Sequence, residues 1–337
     1  MLVKYNISII ICCFNSSKRL YETLKSISNQ NYSSELEIEL ILVDNNSNDD
    51  TSKIAMSIWE NFNSSVNLKI FQEEKKGLSN ARKKGIEIAR GEYLIFCDDD
   101  NWLANDYLQI SYDIMNSNPN IGMLGGEGEA VFEGEKPEWF ERFKLNYAVG
   151  KQSNFDGDIT NLKGYVYGAG AIIRKSVLDE IYSKGFVSQL TDRVGHQLVS
   201  GGDNELGYMI ALSGFRIFYS SKLKFKHFMP NNRITISYLC KLIKGRQLTN
   251  HKIATYENVL LNKEYSLPIN NVHSFKKFFK QLIKICITTL RKKKKLNDFR
   301  LQLTELYYYK YYLLLNRSKF EKEIIQVNKN IAIYKKY

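Results

Sequence analysis

The sequence predicts an α/β protein with a mixed, mainly parallel sheet that is flanked by helices and followed by a basic α-helical region. The first observation is that short apolar runs alternate with amphipathic stretches over residues 7–97, with short loops between them. This order is typical of βαβ units, whose strands lie parallel. The second observation is a concentration of Lys and Arg after residue 230. With 337 residues, 44% of them hydrophobic, the chain is long enough for a sizeable core.

The first two predicted strands are short and strongly apolar. The first covers residues 7–13 and is almost continuously apolar, as expected of a strand that is covered on both faces. An amphipathic helix follows it. The second strand covers residues 40–43 and ends at Asp44, and the polar loop 45–51 then begins the next helix.

The third and fourth predicted strands continue the alternation. Residues 68–71 and 93–97 are short β-prone runs, and residues 78–89 between them have the spacing of a helix. Three carboxylates, Asp98–Asp100, follow the fourth strand directly. Open α/β sheets bind ligands at the carboxyl ends of their strands, so these acids are expected at a ligand site.

The acidic triplet points to a metal and a phosphate. Adjacent carboxylates repel, so a cation is needed to hold them close. A divalent metal that carries a diphosphate would supply it, since Mg²⁺ and Mn²⁺ take one or two carboxylates together with phosphate oxygens. The alternative is a solvated acidic turn. The turn after the first strand has neither Gly-x-Gly-x-x-Gly nor a Gly-Lys-Ser/Thr loop, which argues against a dehydrogenase and a P-loop kinase.

The sequence resembles family 2 glycosyltransferases, which have the GT-A fold, in five segments that occur in the expected order. They are residues 8–15, 41–51, 77–85, 89–100 and 201–206. The resemblance covers roughly residues 5–230. It implies an inverting enzyme that uses a nucleotide sugar.

The resemblance also implies which residues bind the donor nucleotide. They are Cys13, Phe14, Asn15, Asp44, Asn80, Arg82, Asp98 and Asp99. In this pattern Asp44 recognises the base and Asp98 contacts the ribose or supports the site. Alternatively, Asp44 caps the helix that follows it. Arg82 pairs with Asp98 or Asp44 or touches the donor, unless it is a surface arginine.

The family's Asp-x-Asp motif corresponds to Asp98 and Asp100. By resemblance these two residues and His227 hold a divalent cation, Mn²⁺ or Mg²⁺, with Asp100 as the main ligand. The segment that lines the sugar and acceptor cleft in the family corresponds here to the small residues Gly168, Ala169 and Gly170. The alternative for this segment is a bulged strand.

Inversion needs a base that takes the proton of the acceptor hydroxyl as it attacks the anomeric carbon. The family supplies this base from a Glu-Asp pair that opens a helix. Here Gly202 stands in place of the Glu, and Asp203 remains as the expected general base. Glu205 is the second candidate, or shapes the acceptor site. The alternative for Asp203 is a helix N-cap, a position that Asp favours.

Charge divides the chain near Pro230, so we expect a glycosyltransferase domain over 1–230 and a basic helical region over 231–337. The second part holds 23 Lys and Arg against 6 Asp and Glu. Apolar residues at helical spacing over 275–290, with lysines between them, predict a basic amphipathic helix that can lie on an anionic membrane. A second helix is expected over 301–315. Alternatively, these helices pack on the catalytic domain. Nucleic acid is not expected as a partner, because no recognised motif accompanies the charge.

We expect a cytoplasmic protein. Peripheral attachment to the inner face of the cell membrane through the basic helices stays open. The N-terminus lacks the features of a signal peptide, and no apolar run reaches the ~20 residues that span a bilayer. The five cysteines show no metal-ligand spacing and suit a reducing compartment.

The functional hypothesis is a metal-dependent, inverting glycosyltransferase that moves a sugar from a UDP-linked donor to a hydroxyl of a glycan or lipid-linked glycan. Bacterial surface polysaccharide synthesis is the setting by family analogy alone. Two alternatives stay open. A nucleotidyltransferase would need a basic, Gly-rich loop after the first strand, and residues 13–17 supply none. A membrane-recruited nucleotide-sugar-binding protein with a degenerate site would account for Gly202.

Overall fold

The computed structural model describes residues 5–190, 192–193 and 198–262, and in the C-terminal part residues 280, 301, 303–304, 307 and 317–334. Within these residues a nine-stranded sheet forms the centre of the molecule. The strands are β1 (Ile7–Cys13), β2 (Ile38–Asp44), β3 (Leu68–Gln72), β4 (Tyr93–Asp98), β5 (Asn101–Leu103), β6 (Ile121–Phe132), β7 (Gly157–Asp158), β8 (Ile172–Arg174) and β9 (Arg216–Met229).

Helices cover both faces of this sheet. They are α1 (Leu20–Ser28), α2 (Thr51–Asn61), α3 (Leu78–Ile88), α4 (Tyr107–Ser117), α5 (Phe140–Phe143), α6 (Lys175–Ser183), α7 (Gly202–Leu212), α8 (Ile236–Leu260) and α9 (Arg317–Ala332), and a 3₁₀ turn covers Lys144–Tyr147. None of the described helices combines the length and the hydropathy needed to cross a bilayer.

The four strands predicted from the sequence form the parallel half of the sheet, in the order β3-β2-β1-β4. This confirms the predicted α/β class with a mainly parallel sheet. β1 lies between β2 and β4, so the winding direction of the chain reverses there. Ligands bind at such switch points in open α/β sheets. The apolar character of β1 follows from its place, because Ile9 and Ile11 enter one core cluster and Ile10 enters the other.

The other half of the sheet is mixed and brings the chain back to the acidic triplet. β8 pairs antiparallel with β4, β6 pairs antiparallel with β8, and β9 runs parallel to β6. β9 also pairs antiparallel with the short strand β5, where His227 lies opposite Asn101. This register brings His227 next to the end of the triplet.

The described C-terminal helices pack on the body. Leu239 and Ile243 of α8 join a small core cluster with Phe140, Tyr147 and Met229. Tyr256, nearer the end of α8, is buried in the main core cluster together with residues of α9. The predicted division into two domains at residue 230 stays a prediction. β9 ends beside this boundary, and α8, which follows it, packs against residues that precede it and against α9.

The basic segments of the tail cannot be assessed in the same way. The predicted amphipathic helix over 275–290 lies outside the described residues except for residue 280. The predicted helix over 301–315 lies outside them except for residues 301, 303–304 and 307. Membrane contact through these segments stays a prediction.

Candidate active site

A cleft of about 1410 Å³ opens at the carboxyl ends of β1 and β4. Its walls come from the turn after β1, the acidic triplet, the start of α3, residues 163–169, the start of α7, the end of β9 and one face of α8. Ligand pockets usually measure roughly 300–1,000 Å³. The cleft therefore has room for a second ligand beside a first.

The turn after β1 forms one wall of this cleft. Cys13 is buried, and its carbonyl accepts a hydrogen bond from the Asn45 backbone N–H at 2.8 Å. Asn15 has a φ of 52°, and its side-chain oxygen accepts from the Asn48 backbone N–H at 2.8 Å. Phe14 is 40% exposed on the cleft, and the Nζ atom of Lys76 lies 5.7 Å from its ring centroid. The structure thus brings three of the predicted nucleotide-binding residues together.

Asp44 lies behind this wall and does not line the cleft. Its carboxylate accepts hydrogen bonds from the Ser47 backbone N–H at 3.0 Å and from the Ser52 hydroxyl at 2.6 Å. Asp44 therefore holds the loop between β2 and α2, which is close to the capping alternative. The next residue, Asn45, lines the cleft and accepts from the Gly77 backbone N–H at 2.7 Å.

Each carboxylate of the triplet Asp98–Asp100 faces a different arginine. The pairs are Arg82 with Asp98 at 3.7 Å, Arg19 with Asp99 at 2.5 Å, and Arg233 with Asp100. The Ser16 hydroxyl also donates to Asp99. These guanidinium groups offset the repulsion between the adjacent acids. The sequence analysis expected a cation here but did not identify Arg19 or Arg233 as its source.

Asp100 is 3% exposed and is held as an anion by two partners. Burial alone would raise the pKa of this carboxyl, but His227 and Arg233 outweigh that effect and lower the pKa well below its usual range. The Nε2 atom of His227 lies 3.4 Å from Asp100 Oδ1, and Arg233 contacts the other oxygen, Oδ2. Asp100 is therefore a carboxylate that stays anionic at the cleft wall.

The orientation of His227 suits a metal ligand. Its Nδ1 atom lies 2.8 Å from the carbonyl oxygen of Tyr147, which can only accept, so Nδ1 carries the proton. In the charged ring, Nε2 carries a second proton and donates to Asp100; when that proton is absent, the Nε2 lone pair faces the carboxylate, an arrangement that a shared cation would relieve. Two ligands held at about 2.1 Å from one ion lie about 3 Å apart. The observed 3.4 Å is close to that spacing.

The structure does not gather all three predicted metal ligands. In the described part of the chain, no group of three or more His, Cys, Asp and Glu side chains is close enough to hold an ion. Asp98 instead faces Arg82. Asp100 and His227 fit a divalent cation as a pair, and the remaining ligands would have to come from diphosphate and water, as is usual for Mg²⁺.

Arg82 and Asn80 occupy different positions although both belong to α3. Arg82 lines the cleft, where Nη1 donates to Asp192 Oδ2 at 3.1 Å and the guanidinium lies 5.8 Å from the ring of Phe96. Asn80 does not line the cleft, and its side-chain amide donates to the Lys76 carbonyl at 3.0 Å. The structure therefore joins Arg82 to the strand-end acids and leaves Asn80 outside the site.

The glycine-rich segment at residues 164–170 turns one side to the cleft. Gly168 and Ala169 line it, and the Gly168 backbone N–H donates to Asp203 Oδ2 at 2.7 Å. A Cβ atom at Gly168 would lie 2.9 Å from Arg82 Nη2, so a side chain there would push the arginine away. Gly170 has a φ of 70° and faces the core, where its carbonyl accepts from the Tyr107 hydroxyl at 2.6 Å.

Lys163 is a cleft residue that the sequence analysis did not identify. Its Nζ atom lies 4.6 Å and 4.2 Å from the ring centroids of Tyr165 and Tyr167, and it donates to the side chain of Gln152. Burial lowers the pKa of Lys163 to about 8, although the nearby charge of Asp203 opposes this. The sequence signal that indicates Lys163 is the mixture of Lys and Tyr at the start of a Gly-rich segment.

The two acids in the first turn of α7 have different surroundings. Asp203 lines the cleft, and its Oδ1 atom accepts from the Asn204 backbone N–H at 2.9 Å. Glu205 is 0% exposed and does not line the cleft. Its carboxylate accepts from the Tyr256 hydroxyl at 2.8 Å and from the Ser188 hydroxyl at 2.6 Å.

The expected second candidate for the base, Glu205, is therefore a buried structural acid. Burial raises the pKa of its carboxyl, although the hydrogen bonds from Ser188 and Tyr256 counteract this. The Gln189 and Leu190 backbone N–H groups also donate to it. Glu205 ties the loop at residues 188–190 to α7 and α8, and it offers no surface to an acceptor.

Comparison with known proteins identifies the family of the chain. The model of glycosyl transferase family 2 matches residues 8–182, which is more than half of the chain. The chain therefore belongs to this family. The resemblance deduced from the five sequence segments is confirmed.

Two of the similar sequences match about a third of the chain. The cholesterol galactosyltransferase of Borreliella burgdorferi is 36% identical over 110 residues, which are 33% of this chain and 29% of that protein. The poly(ribitol-phosphate) β-N-acetylglucosaminyltransferase TarP of Staphylococcus aureus is 29% identical over 136 residues, 38% of this chain and 41% of that protein. The chain thus matches less than half the length of either relative.

Solved structures extend the fold similarity to nearly the whole chain. S. aureus TarS 1–349 in complex with UDP has a TM-score of 0.52 at 18% identity and covers 93% of this chain and 91% of that one. The mannosyltransferase PcManGT of Pyrobaculum calidifontis, in complex with GDP-Man and Mn²⁺, has a TM-score of 0.53 at 15% identity. The match covers 98% of this chain and 75% of that one. At these identities the likeness concerns the fold.

Proposed function

We propose that this glycosyltransferase is metal-dependent and inverting, and that it transfers a sugar from a UDP-linked donor to a hydroxyl of a glycan or lipid-linked glycan. The observation that carries the proposal is the position of Asp203. Its carboxylate lines the same cleft as the strand-end acids, and Arg82 lies near both Asp203 and Asp98. A base in the same cleft as a diphosphate site suits in-line displacement at a carbon held between them.

The donor would occupy the wall formed by β1 and β4. The exposed ring of Phe14 and the polar groups of Asn15 and Asn45 offer contacts for a base and ribose. Lys76, Arg82 and Arg193 also line the cleft and would attract the negative diphosphate. The UDP in the TarS complex and the GDP-Man in the PcManGT complex support a nucleoside diphosphate donor, and the first of these favours UDP.

Asp100 and His227 would hold the divalent cation, Mn²⁺ or Mg²⁺, as argued from their geometry. When bound, such an ion neutralises charge that develops on the leaving diphosphate. Arg233 contacts the oxygen of Asp100 that His227 leaves free, so it must move or share that oxygen. The Mn²⁺ in the PcManGT complex supports the choice of ion.

Asp203 would act as the general base. The acceptor hydroxyl oxygen forms a bond to the anomeric carbon, the bond from that carbon to the diphosphate oxygen breaks, and the hydroxyl proton passes to Asp203. The Gly168 backbone N–H holds Oδ2 of this carboxylate and the Asn204 backbone N–H holds Oδ1. These two bonds fix the orientation of the base without using a side chain that competes for the proton.

The acceptor would lie between Asp203 and α8. The names of the relatives support a glycan or a lipid, since one acts on cholesterol and another on poly(ribitol-phosphate). We propose a cytoplasmic enzyme of bacterial surface polysaccharide synthesis whose basic region, residues 231–337, contacts an anionic membrane. The excess of Lys and Arg in that region supports this contact.

Thermal stabilisation by nucleotides tests the donor side of the proposal. The midpoint of unfolding would be measured with UDP, GDP, CMP and dTDP, each with and without Mn²⁺. Ligands that bind only the native state raise the midpoint. We expect UDP with Mn²⁺ to raise it most, and UDP without the metal to raise it much less.

Other results would redirect the proposal. A larger shift with GDP, CMP or dTDP would change the donor class, and an equal shift without metal would contradict the metal dependence. If no nucleotide stabilises the folded protein, the degenerate binding protein replaces the enzyme proposed here. Stabilisation by a nucleoside triphosphate alone would favour the nucleotidyltransferase.

A further inference from the structure

We propose that Asp192 is a positioning residue for the transfer reaction, and that it supplies from the loop before α7 the carboxylate that Gly202 lacks. This inference rests on the proposed function, because it concerns how Asp203 and Arg82 are held. Asp192 and Gly202 would then form one unit, in which the glycine makes room for the acid.

Gly202 is not required by its own backbone. It begins α7 and is absent from the residues with positive φ, so other residues could adopt its conformation. A Cβ atom at this position would lie 2.8 Å from Asp192 Cγ and closer still to Oδ2. Real Cβ atoms do not approach so closely. A larger residue at 202 would therefore have to displace the carboxylate of Asp192.

Asp192 occupies that space with a fully engaged carboxylate. It is 6% exposed, and its Oδ1 accepts from the Gly202 backbone N–H at 2.8 Å. Its Oδ2 lies 3.1 Å from Arg82 Nη1. Its φ of 53° is uncommon for a residue other than glycine. A strained, buried acid of this kind persists only when its surroundings require it.

Arg82 connects this carboxylate to both walls of the cleft. Its Nη1 atom faces Asp192, and its Nη2 atom lies 3.7 Å from Asp98 Oδ1 on the wall formed by β4. The guanidinium packs against the backbone of Gly168, whose N–H holds Asp203. Asp192 thus fixes the arginine beside the base, and it fixes the first residue of the helix that carries the base.

The charge of Asp192, and not only its shape, is needed for this role. Two carboxylates, Asp98 and Asp203, lie near Arg82 and compete for it. Without Asp192 the guanidinium would be free to turn toward Asp203 and pair with it. An ion pair of that kind would occupy the Asp203 carboxylate and turn it away from an acceptor hydroxyl.

The test uses five variants of the full chain: Asp192→Asn, Asp192→Gly, Gly202→Glu, the pair Asp192→Gly with Gly202→Glu, and Asp179→Asn as an exposed control. Asp192→Asn keeps an oxygen for the Gly202 N–H but removes the negative charge that faces Arg82. We expect its kcat to fall about 100-fold while KM for the donor changes less than about threefold. Its pH–rate profile should also shift, because the arrangement of charges around the base changes. The control should match the wild type.

The reciprocal exchange tests whether the two positions form a unit. Gly202→Glu alone should lose activity, because the longer side chain meets Asp192. Joining it with Asp192→Gly moves the carboxylate to position 202, and we expect kcat to recover at least about tenfold over either single variant. Failure to recover, in a double variant that unfolds at the same temperature as the single ones, would overturn the proposal. Wild-type kcat and pH profile in Asp192→Asn would also overturn it.

A folding measurement separates this inference from the proposed function. Gly202→Ala should lower the unfolding midpoint in the wild-type chain and have little effect in an Asp192→Gly background, because the clash requires Asp192. Equal losses in both backgrounds would show that the two positions are independent. If the wild type transfers no sugar, the proposed function fails, whatever this cycle shows.

Discussion

The two walls of the cleft are built differently. The donor wall comes from β1 and β4, where each polar residue follows its strand directly in the sequence. The second wall comes from residues 163–169, α7 and α8. The contacts that position its residues join segments that lie far apart in the chain. Arg82 and Asp192 are separated by 110 positions, and Asp100 and Arg233 by 133. Local sequence thus specifies the first wall, whereas tertiary packing assembles the second.

The largest effect should come from replacing the proposed base, Asp203, on the second wall. We expect Asp203→Asn to lower kcat by about 10²–10⁴-fold, because general base catalysis contributes that much. Stabilisation by UDP with Mn²⁺ should stay, since the donor wall is unchanged. Rates of transfer and thermal shifts, measured on one preparation, check both expectations.

Glu205→Gln is the matched control two residues further along α7. Glu205 is buried and holds residues 188–190 and Tyr256, so its loss should lower the unfolding midpoint while kcat of the folded enzyme stays within a few-fold of the wild type. If Glu205→Gln lost transfer and Asp203→Asn retained it, the two roles would have to be exchanged.

The donor wall is tested by Asp100→Asn. This variant removes the anion that faces His227, and we expect the affinity for Mn²⁺ to fall by about 10–100-fold. The measurement is the Mn²⁺ concentration that gives half of the UDP-dependent thermal shift. Asp99→Asn is the comparison, because Asp99 is paired with Arg19 and Ser16 and not with His227. An equal effect of both variants would argue against Asp100 as the particular ligand.

A smaller effect is expected at the point where the two walls meet. Arg233 belongs to the segment that leads into α8, yet it contacts Asp100 on the donor wall. It competes with a cation for this carboxylate, so Arg233→Gln should tighten Mn²⁺ binding a few-fold in the same titration. Arg216→Gln, at the exposed start of β9, should leave the affinity unchanged. Weaker binding in Arg233→Gln would mean that the arginine supports the metal site.

The smallest effect concerns the packing of α9 on α8. The Nε2–H of His251 donates to the Glu323 carboxylate at 2.8 Å, and the centroid of its ring lies 4.3 Å from that of Phe320. Burial lowers the pKa of His251 below its usual 6.5, although Glu323 opposes this. The unfolded chain therefore takes up a proton first as the pH falls through about 6.5, and stability that is present above this pH is lost below it.

The pH dependence of the unfolding midpoint checks this expectation. Between about pH 7.5 and 5.5 the wild type should lose a few degrees more than His251→Gln, which does not titrate. The hydrogen bond from His251 lowers the pKa of Glu323, against the effect of its burial, so further loss is expected below about pH 4.5. Parallel curves for the wild type and the variant would contradict the role of His251.

The fold was predictable because its signals are local. The predicted strands at 7–13, 40–43, 68–71 and 93–97 match β1 to β4 with small differences at their ends. The mixed half of the sheet was less accessible, since pairing of β9 with both β6 and β5 depends on contacts between distant segments. The 25-residue helix α8 was not predicted, because its buried residues do not follow one simple stripe.

The site was predictable in part for the same reason. Asp98–Asp100 could be selected because they follow a strand end, and Asp203 because it matches the family's Glu-Asp pair. The resemblance placed Glu205 second, and its burial against Tyr256 became visible only in the structure. Asp44 follows a strand as expected, but its carboxylate turns into the loop that it holds.

The sequence alone determined the α/β class, the parallel strands and the edge at which the acids lie, because strand periodicity and strand-end chemistry depend on neighbouring residues. Only the tertiary structure decided which charge faces which: Arg19, Arg82 and Arg233 each meet a different acid, and Asp192 fills the space at Gly202. Electrostatic pairing depends on distance in space and on burial. Residues that are remote in the chain become partners only after the core has packed.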